Sequence, residues 1–273
     1  MDNFWLAPAN IDKDKNCYFR AVRVLNTDKL STVKIAAESY YIFYVNGHIA
    51  GRGPVRGTRR RNYLDSYEIS AFLRPGKNVI ALLVYCMNIP TFINSPSQPA
   101  FSIELNGRRQ APEDWRVSVA ADWRKDTPLY TKQTGFAEWR DLRLEPEGWA
   151  LGQGIEQWDY AAAVTVSQKI YSKELVPRDV PLLQESVFKP VDIPVRASVA
   201  RIDDLSSPDI SERLTHEKHQ PLPHERLHGL DEWLVGDEPE AVLFPGADGE
   251  GIVLVFDFDV EIIGRLELEL TGG

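Results

Sequence analysis

Cysteine is almost missing from this sequence: 273 residues hold two, Cys17 and Cys86. Their separation is far too wide for a metal or dithiol redox motif. A disulfide between them is one option, and two buried thiols in a cytoplasmic protein is the reading preferred here. The opening residues, MDNFWLAPANID, lack a basic stretch followed by an apolar core, so no secretory leader is visible and a cytoplasmic location is expected. No run approaches the roughly 18 apolar residues of a membrane-spanning helix. Positive charge is in deficit, with 31 Lys and Arg against 40 Asp and Glu, a formal net charge of -9. That balance disfavours nucleic acid, membrane surfaces and free anionic sugars or phosphates as partners, and leaves neutral carbohydrates open. A sustained helical apolar period over about 12 residues is also lacking, which argues against a helical bundle.

What is present fits a folded β protein. The hydrophobic fraction is 43% and the aromatic fraction 10%, enough for a sizeable core. Gly and Pro number 18 each, a density suited to many turns. Tyr18 to Val24, Val33 to Ala37 and Tyr40 to Val45 are β-branched and aromatic runs, partly alternating at period two. Asn46-Gly47 follows, the pair that best supports a type I′ hairpin, with His48 to Gly51 as the return strand. Leu64 to Ile69 leads into a short turn at 70–73, stopped by Pro75-Gly76. The continuous apolar run Val79 to Tyr85 predicts a central strand covered on both faces. Phe101 to Leu105 meets a second turn pair, Asn106-Gly107, and Trp115 to Val119 and Val164 to Ser167 are further candidate strands.

Residues 171 to 250 differ in character. Pro177, Pro181, Pro190, Pro194, Pro208, Pro221 and Pro223 break the apolar runs, which predicts a connector with a long loop or insertion. Gly251 to Phe258 and Ile262 to Leu270 then read as strands, with Leu266, Leu268 and Leu270 on one face and Glu267 and Glu269 on the other. Such a hairpin with little chain after it resembles an unfinished sheet, and a truncated second sandwich is expected. The expected division is 1–170, a β-sandwich; 171–240, the Pro-rich connector; and 241–273, the start of a second sandwich.

Candidate chemistry has a bland counterpart at each position. Acidic pairs such as Asp203-Asp204 or Asp257/Asp259 lack any sign of sharing a cleft, and no catalytic residue is assigned. His216, His219, His224 and His228, with Glu217 and Glu225 among them, are spaced three, five and four apart and interrupted by prolines. A solvated loop is the preferred reading over zinc, so no metal and no cofactor is expected. Arg52, Arg56, Arg59, Arg60 and Arg61 form a basic run better suited to carboxylate pairing or a domain face than to nucleic acid, with sugar contact left open. Trp115, Trp123, Trp139, Trp149 and Trp158 are read as core or interface residues before sugar platforms. The carbohydrate-binding residues are unknown at this point.

Four ordered phrases resemble the N-terminal, non-catalytic part of bacterial α-L-rhamnosidases of glycoside hydrolase family 78. The first runs from Tyr44-Val45-Asn46-Gly47 through Gly51-Arg52-Gly53-Pro54 and Tyr63-Leu64-Asp65-Ser66-Tyr67 to Pro75-Gly76-Lys77-Asn78. The second is Gly135-Phe136-Ala137-Glu138-Trp139-Arg140-Asp141, ending in Gly148-Trp149. The third is Leu175-Val176-Pro177-Arg178-Asp179-Val180-Pro181, and the fourth Asp248-Gly249-Glu250-Gly251 with Val255 to Phe258 and Ile263-Gly264. Asp259 departs from the pattern, which favours glycine after Asp-Phe. The resemblance implies an all-β chain: a galactose-binding-like (jelly-roll) sandwich, then the incomplete start of a second sandwich. It also implies a catalytic (α/α)6 barrel outside this chain, whose inverting carboxyl pair would stand roughly 6.5–9.5 Å apart. None of that pair has a counterpart here. The expected role is accessory, with the catalytic domain as partner and rhamnose-containing glycans as a further one. The alternatives are a free-standing, lectin-like carbohydrate-binding module, or an interaction module that pairs through a sheet edge.

Overall fold

The computed structural model describes residues 5–164, 174–200 and 220–261, except positions 28, 59, 93, 96–98, 134, 183, 238, 245 and 247–249. Two compact units meet in sequence between Pro181 and Leu182. The first is built from β1 (Trp5–Ala7), β2 (Cys17–Asn26), β3 (Thr32–Ala37), β4 (Tyr40–Val45), β5 (His48–Gly53), β6 (Arg61–Glu68), β7 (Lys77–Cys86), β8 (Phe101–Leu105), β9 (Arg108–Arg109), β10 (Arg116–Val119), β11 (Leu129–Thr131), β12 (Gly135–Phe136), β13 (Asp159–Tyr160), β14 (Ala162–Val164) and β15 (Glu174–Pro177). One sheet has the order β14-β1-β8-β3-β6-β15, with β9 beside β8; the other has the order β13-β10-β2-β7-β4-β5. The expected all-β sandwich is therefore what the chain forms.

Local backbone chemistry sets the turns. Asn46 and Gly47 have φ of 51 and 83, and Val45 pairs with His48 across them. Asn106 and Gly107 have φ of 46 and 73, with Leu105 opposite Arg108. Both are two-residue hairpins whose central positions need φ > 0. Asn78, from the Pro-Gly-Lys-Asn turn, donates from Nδ2 to the carbonyls of Thr27, Arg74 and Gly76 and accepts from Asn46 Nδ2 at 2.8 Å. Asn46 Oδ1 in turn accepts from the Val79 amide at 2.9 Å.

The predicted burial of the Val79 to Tyr85 run on both faces is borne out. Ile80, Leu82 and Val84 of β7 point into the inter-sheet core with Phe19, Phe43, Ile35, Phe101 and Trp115. Val79, Ala81 and Leu83 point the other way. They are covered by the stretch 120–158, through Ala120, Trp123, Trp149, Ile155 and Trp158. Period-two alternation thus feeds two apolar layers, and each fully buried Leu or Ile adds about 1.5–3 kcal/mol to stability.

The second unit holds β16 (Asp192–Ala200), β17 (Gln220–Pro221), β18 (Leu227–His228), β19 (Val242–Leu243), β20 (Glu250–Asp257) and the short helix α1 (Leu230–Val235). One sheet is β17-β16-β20, and β18 pairs with β19. Ile193, Leu222, Leu227 and Leu230 are its buried apolar residues. The stretch 171–240, read from sequence as a connector, carries structure of its own. Glu174–Pro177 extends the first sandwich, running parallel beside β6, and β16 is a long strand. The prolines misled because Pro194 sits where the β16–β20 register shifts, between Asp192 and Val195, so the ladder loses little there. Ile262 to Leu270, and residues 165–167 of the expected strand Val164 to Ser167, lie outside the described residues. Among the described residues, no helix is long and apolar enough to cross a membrane.

Candidate functional site: a polar cleft at the loop end of the first sandwich

The first and third motif phrases converge on one buried carboxylate. Asp65 on β6 is fully buried. Its Oδ2 accepts from Tyr41 Oη at 2.5 Å, and its Oδ1 from Arg178 at 3.1 Å. Tyr41 and Tyr67 hydroxyls lie 2.8 Å apart, and Tyr67 Oη donates to the Arg52 carbonyl at 3.0 Å. The Arg178 guanidinium also binds the carbonyls of Val180 and Pro181, fixing the chain as it leaves β15. The glycines of Gly51-Arg52-Gly53 make room for this. A Cβ on Gly53 would stand 2.0 Å from Asp65 Oδ2, and one on Gly51 2.1 Å from the Tyr67 ring. Burial pushes the Asp65 carboxyl above its ordinary value, against the lowering pull of the Tyr41 and Arg178 hydrogen bonds. Burial likewise pushes the Tyr41 phenol well up. The partners of Asp65 are a guanidinium and a phenol, so it has a clamping role and not that of half a catalytic carboxyl pair.

Beside this clamp lies a polar cleft. The links from β3 to β4, β5 to β6 and β7 to β8 meet at one end of the sandwich, and Ser39, Tyr40, Arg56, Asn62, Asn94 and Ser95 are among the cleft's lining. Ser39 takes φ of 60 in the two-residue link after β3, a left-handed conformation uncommon for serine. Its Oγ accepts from the Met87 amide at 3.0 Å and donates to Asn94 Oδ1 at 3.3 Å. Asn94 is held further by donation to the Ile89 carbonyl and by the Thr91 hydroxyl. Asn62 is 5% exposed, yet its Nδ2 has no hydrogen-bond partner among the described residues. A buried amide donor left open is costly unless a ligand or water takes it. With the exposed Arg56 and the half-buried Tyr40 ring alongside, the cleft offers amide and guanidinium donors, a hydroxyl and an apolar flank. That set can hydrogen-bond water or a small polar group.

The outer layer of the sandwich is anchored by charge. Arg20 and Asp122, both fully buried, form a two-pronged pair at 2.6 and 2.7 Å. Arg140 Nε reaches the same carboxylate at 3.1 Å and also pairs with Glu145. Burial raises the Asp122 carboxyl, but hydrogen bonds from Arg20 and then Arg140 outweigh it and hold the group below its ordinary value. Tyr18 stacks between Trp123 and Tyr85, at 4.1 and 4.5 Å between ring centres.

Several candidates named from sequence are structural. Trp115 is in the inter-sheet core, Trp149 is buried under Tyr44 and the Arg20 guanidinium, and Trp123 and Trp158 pack in the outer layer. Trp139 is half-buried beneath Arg124. Arg61 forms an exposed ion pair with Glu174, and Arg59 lies outside the described residues. His224 and His228 are exposed, and His228 meets the edge of Phe244. Asp203, Asp204, His216, Glu217 and His219 lie outside the described residues. No group of three or more His, Cys, Asp and Glu side chains suited to a metal occurs among the described residues. Asp257 and Asp259 form a turn, with the Asp259 amide donating to Asp257 Oδ1 at 2.8 Å. Asp259 has φ of 57, which explains why the family pattern favours glycine there. Asn62 and Asn94 escaped the sequence reading because nothing around them marks them out, and only the loop geometry gathers them.

No protein-family model matches the chain, and no curated protein matches it. Solved structures do. The GH78 family rhamnosidase of Bacillus sp. GL1 matches with a TM-score of 0.65 and 28% identity, over 74% of this chain and 22% of that one. The α-L-rhamnosidases of Dictyoglumus thermophilum and Aspergillus terreus match in fold, each with a TM-score of 0.53, at 16% and 15% identity. Those matches cover 73% and 74% of this chain and 27% of each enzyme. The resemblance to family 78 α-L-rhamnosidases is thus present in three dimensions, and the chain spans about a quarter of the length of the enzymes it matches.

Proposed function

We propose that this rhamnosidase-related chain is the accessory β-sandwich region of an α-L-rhamnosidase-like glycoside hydrolase. In this reading it braces or supplements a catalytic (α/α)6 barrel carried by another stretch of polypeptide, its partner. The observation that supports it is the likeness to the Bacillus enzyme, which involves most of this chain and a minor part of that one. Two fully buried carboxylates, Asp65 and Asp122, are held by arginines, which fits an architectural role. The test is hydrolysis of an aryl α-L-rhamnoside by this chain alone and by the product of the full reading frame. We expect turnover only from the latter. Turnover by this chain alone overturns the reading, as does a reading frame without a helical barrel.

A second reading, a carbohydrate-binding module, is favoured by the open Asn62 amide in the polar cleft. Calorimetric titration with L-rhamnose and galactose should give micromolar-to-millimolar affinity that falls at least tenfold in Asn62→Ala. Absence of heat with both sugars removes this reading.

A further inference from the structure

The two cysteines, 69 residues apart in sequence, face each other on neighbouring strands at one end of a sheet of the first sandwich. Cys17 opens β2, Cys86 closes β7, and the antiparallel register pairs them directly. Flanking hydrogen bonds give the type of pair. The Asn46 amide donates to the Val79 carbonyl, and the Ala120 amide to the Tyr18 carbonyl. Even positions of β2 therefore point to β10, and even positions of β7 point to β2. Cys17 and Cys86 form a hydrogen-bonded pair, with Cα atoms about 5.5 Å apart. Disulfides form over roughly 4.4–6.8 Å between Cα atoms, so this separation lies within bridging range. Both side chains enter the same core layer, and both are free thiols.

The surroundings make the two thiols unequal. Cys86 is 0% exposed, and its Sγ points to the Glu38 carbonyl at 4.0 Å. Cys17 lies at the strand end next to the exposed turn 12–15. Its Sγ donates to the Asp12 carbonyl at 3.6 Å and accepts from Asn88 Nδ2 at 3.8 Å. A hydrogen bond from Cys86 holds Cys17 below the usual thiol value against the opposing effect of burial, while burial pushes Cys86 well up. Cys17, 2% exposed, lies nearer the exposed turn and accepts from Asn88, so it is the one placed to react first, and Cys86 is placed to resolve it.

We propose that Cys17 and Cys86 are a redox modification site, oxidised by a hydroperoxide to an intrachain disulfide that ties β2 to β7. The Cys17 thiolate attacks one peroxide oxygen, the O–O bond breaks, and hydroxide (or an alkoxide) leaves with the electron pair. Cys17 becomes a sulfenic acid. The Cys86 sulfur then displaces that oxygen as water, and its proton goes to the leaving group. With hydrogen peroxide the balance is two thiols plus one peroxide giving one disulfide and two waters. The bond removes the thiol donors to the Asp12 and Glu38 carbonyls. It therefore acts on the turn at 12–15 and on the Glu38-Ser39 link that borders the polar cleft.

The test is treatment of the whole folded chain with hydrogen peroxide, followed by intact mass and non-reducing peptide mapping. The expected result is a loss of about 2 Da, a peptide pair joining Cys17 to Cys86, and reversal by dithiothreitol. Cys86→Ser should trap a dimedone-reactive sulfenic acid on Cys17, whereas Cys17→Ser should show none on Cys86. The wild-type mass stands as a test even where a variant fails to fold. An unchanged mass, oxygen addition without a cross-link, or a cross-link only between two copies overturns the proposal.

Discussion

At the scale of single residues, the first sandwich depends on where charge and empty space are placed. Gly53 passes over the Asp65 clamp with no room for a methyl group. Gly53→Ala should therefore destabilise the protein by about 1–3 kcal/mol, read as a lower urea midpoint at unchanged slope. A midpoint within error of wild type would show that the Asp65 carboxylate is free to move. Asp122 allows a pH test. Its carboxyl is held low by Arg20 and Arg140 despite burial, so its folded value lies below its unfolded one. The stabilisation is complete above the ordinary carboxylate value of about 3.9 and fades as pH falls through the lowered value. Asp122→Asn should cost about 3–5 kcal/mol at pH 7, and the gap to wild type should narrow below about pH 4. Asp65 acts in the opposite sense, because its folded value is raised and acidification through that value adds stability. Both proteins carry Asp65, so it cancels in the comparison. A gap independent of pH would contradict the assigned direction.

At the scale of elements, the Asn46–Asn78 clasp joins two turns that are distant in sequence. The Asn78 side chain donates to three backbone carbonyls and accepts from Asn46 and from the Arg74 amide. Asn78→Ala should cost about 2–3 kcal/mol and loosen both the β4–β5 hairpin and the turn before β7, seen as faster amide exchange at Val79. The same substitution at Asn88, whose partners are the carbonyls of Asp12 and Lys15, should leave Val79 unchanged. The β hairpins were legible in sequence because Asn-Gly pairs act through their own φ angles. The strand Asp192–Ala200 was not, because the irregularity that accommodates Pro194 exists only once β20 lies alongside.

At the scale of the whole molecule, the described core of the first unit is two-layered, with β7 central to both layers. Amide hydrogen exchange on the full chain should be slowest in β2, β7 and β4, at positions such as Ala21, Leu82 and Phe43. It should be faster in the covering stretch around β11 and β12, which forms a separate two-stranded sheet. Equal protection in both places would indicate that the cover and the sandwich open as one unit.

The sequence by itself determined the fold class, the two Asn-Gly hairpins, the central strand buried on both faces and the family resemblance. These follow from turn chemistry and from the spacing of apolar residues, which act over a few positions of chain. The phrases carrying the resemblance were visible too, but not their purpose. Only the tertiary structure brought Arg178 to Asp65 across 113 positions, and Arg20 to Asp122 across 102. The tertiary structure also paired Cys17 with Cys86 and left Asn62 with an open amide in the cleft. Such meetings depend on strand register and on which polar groups burial forces together, and no local propensity encodes either.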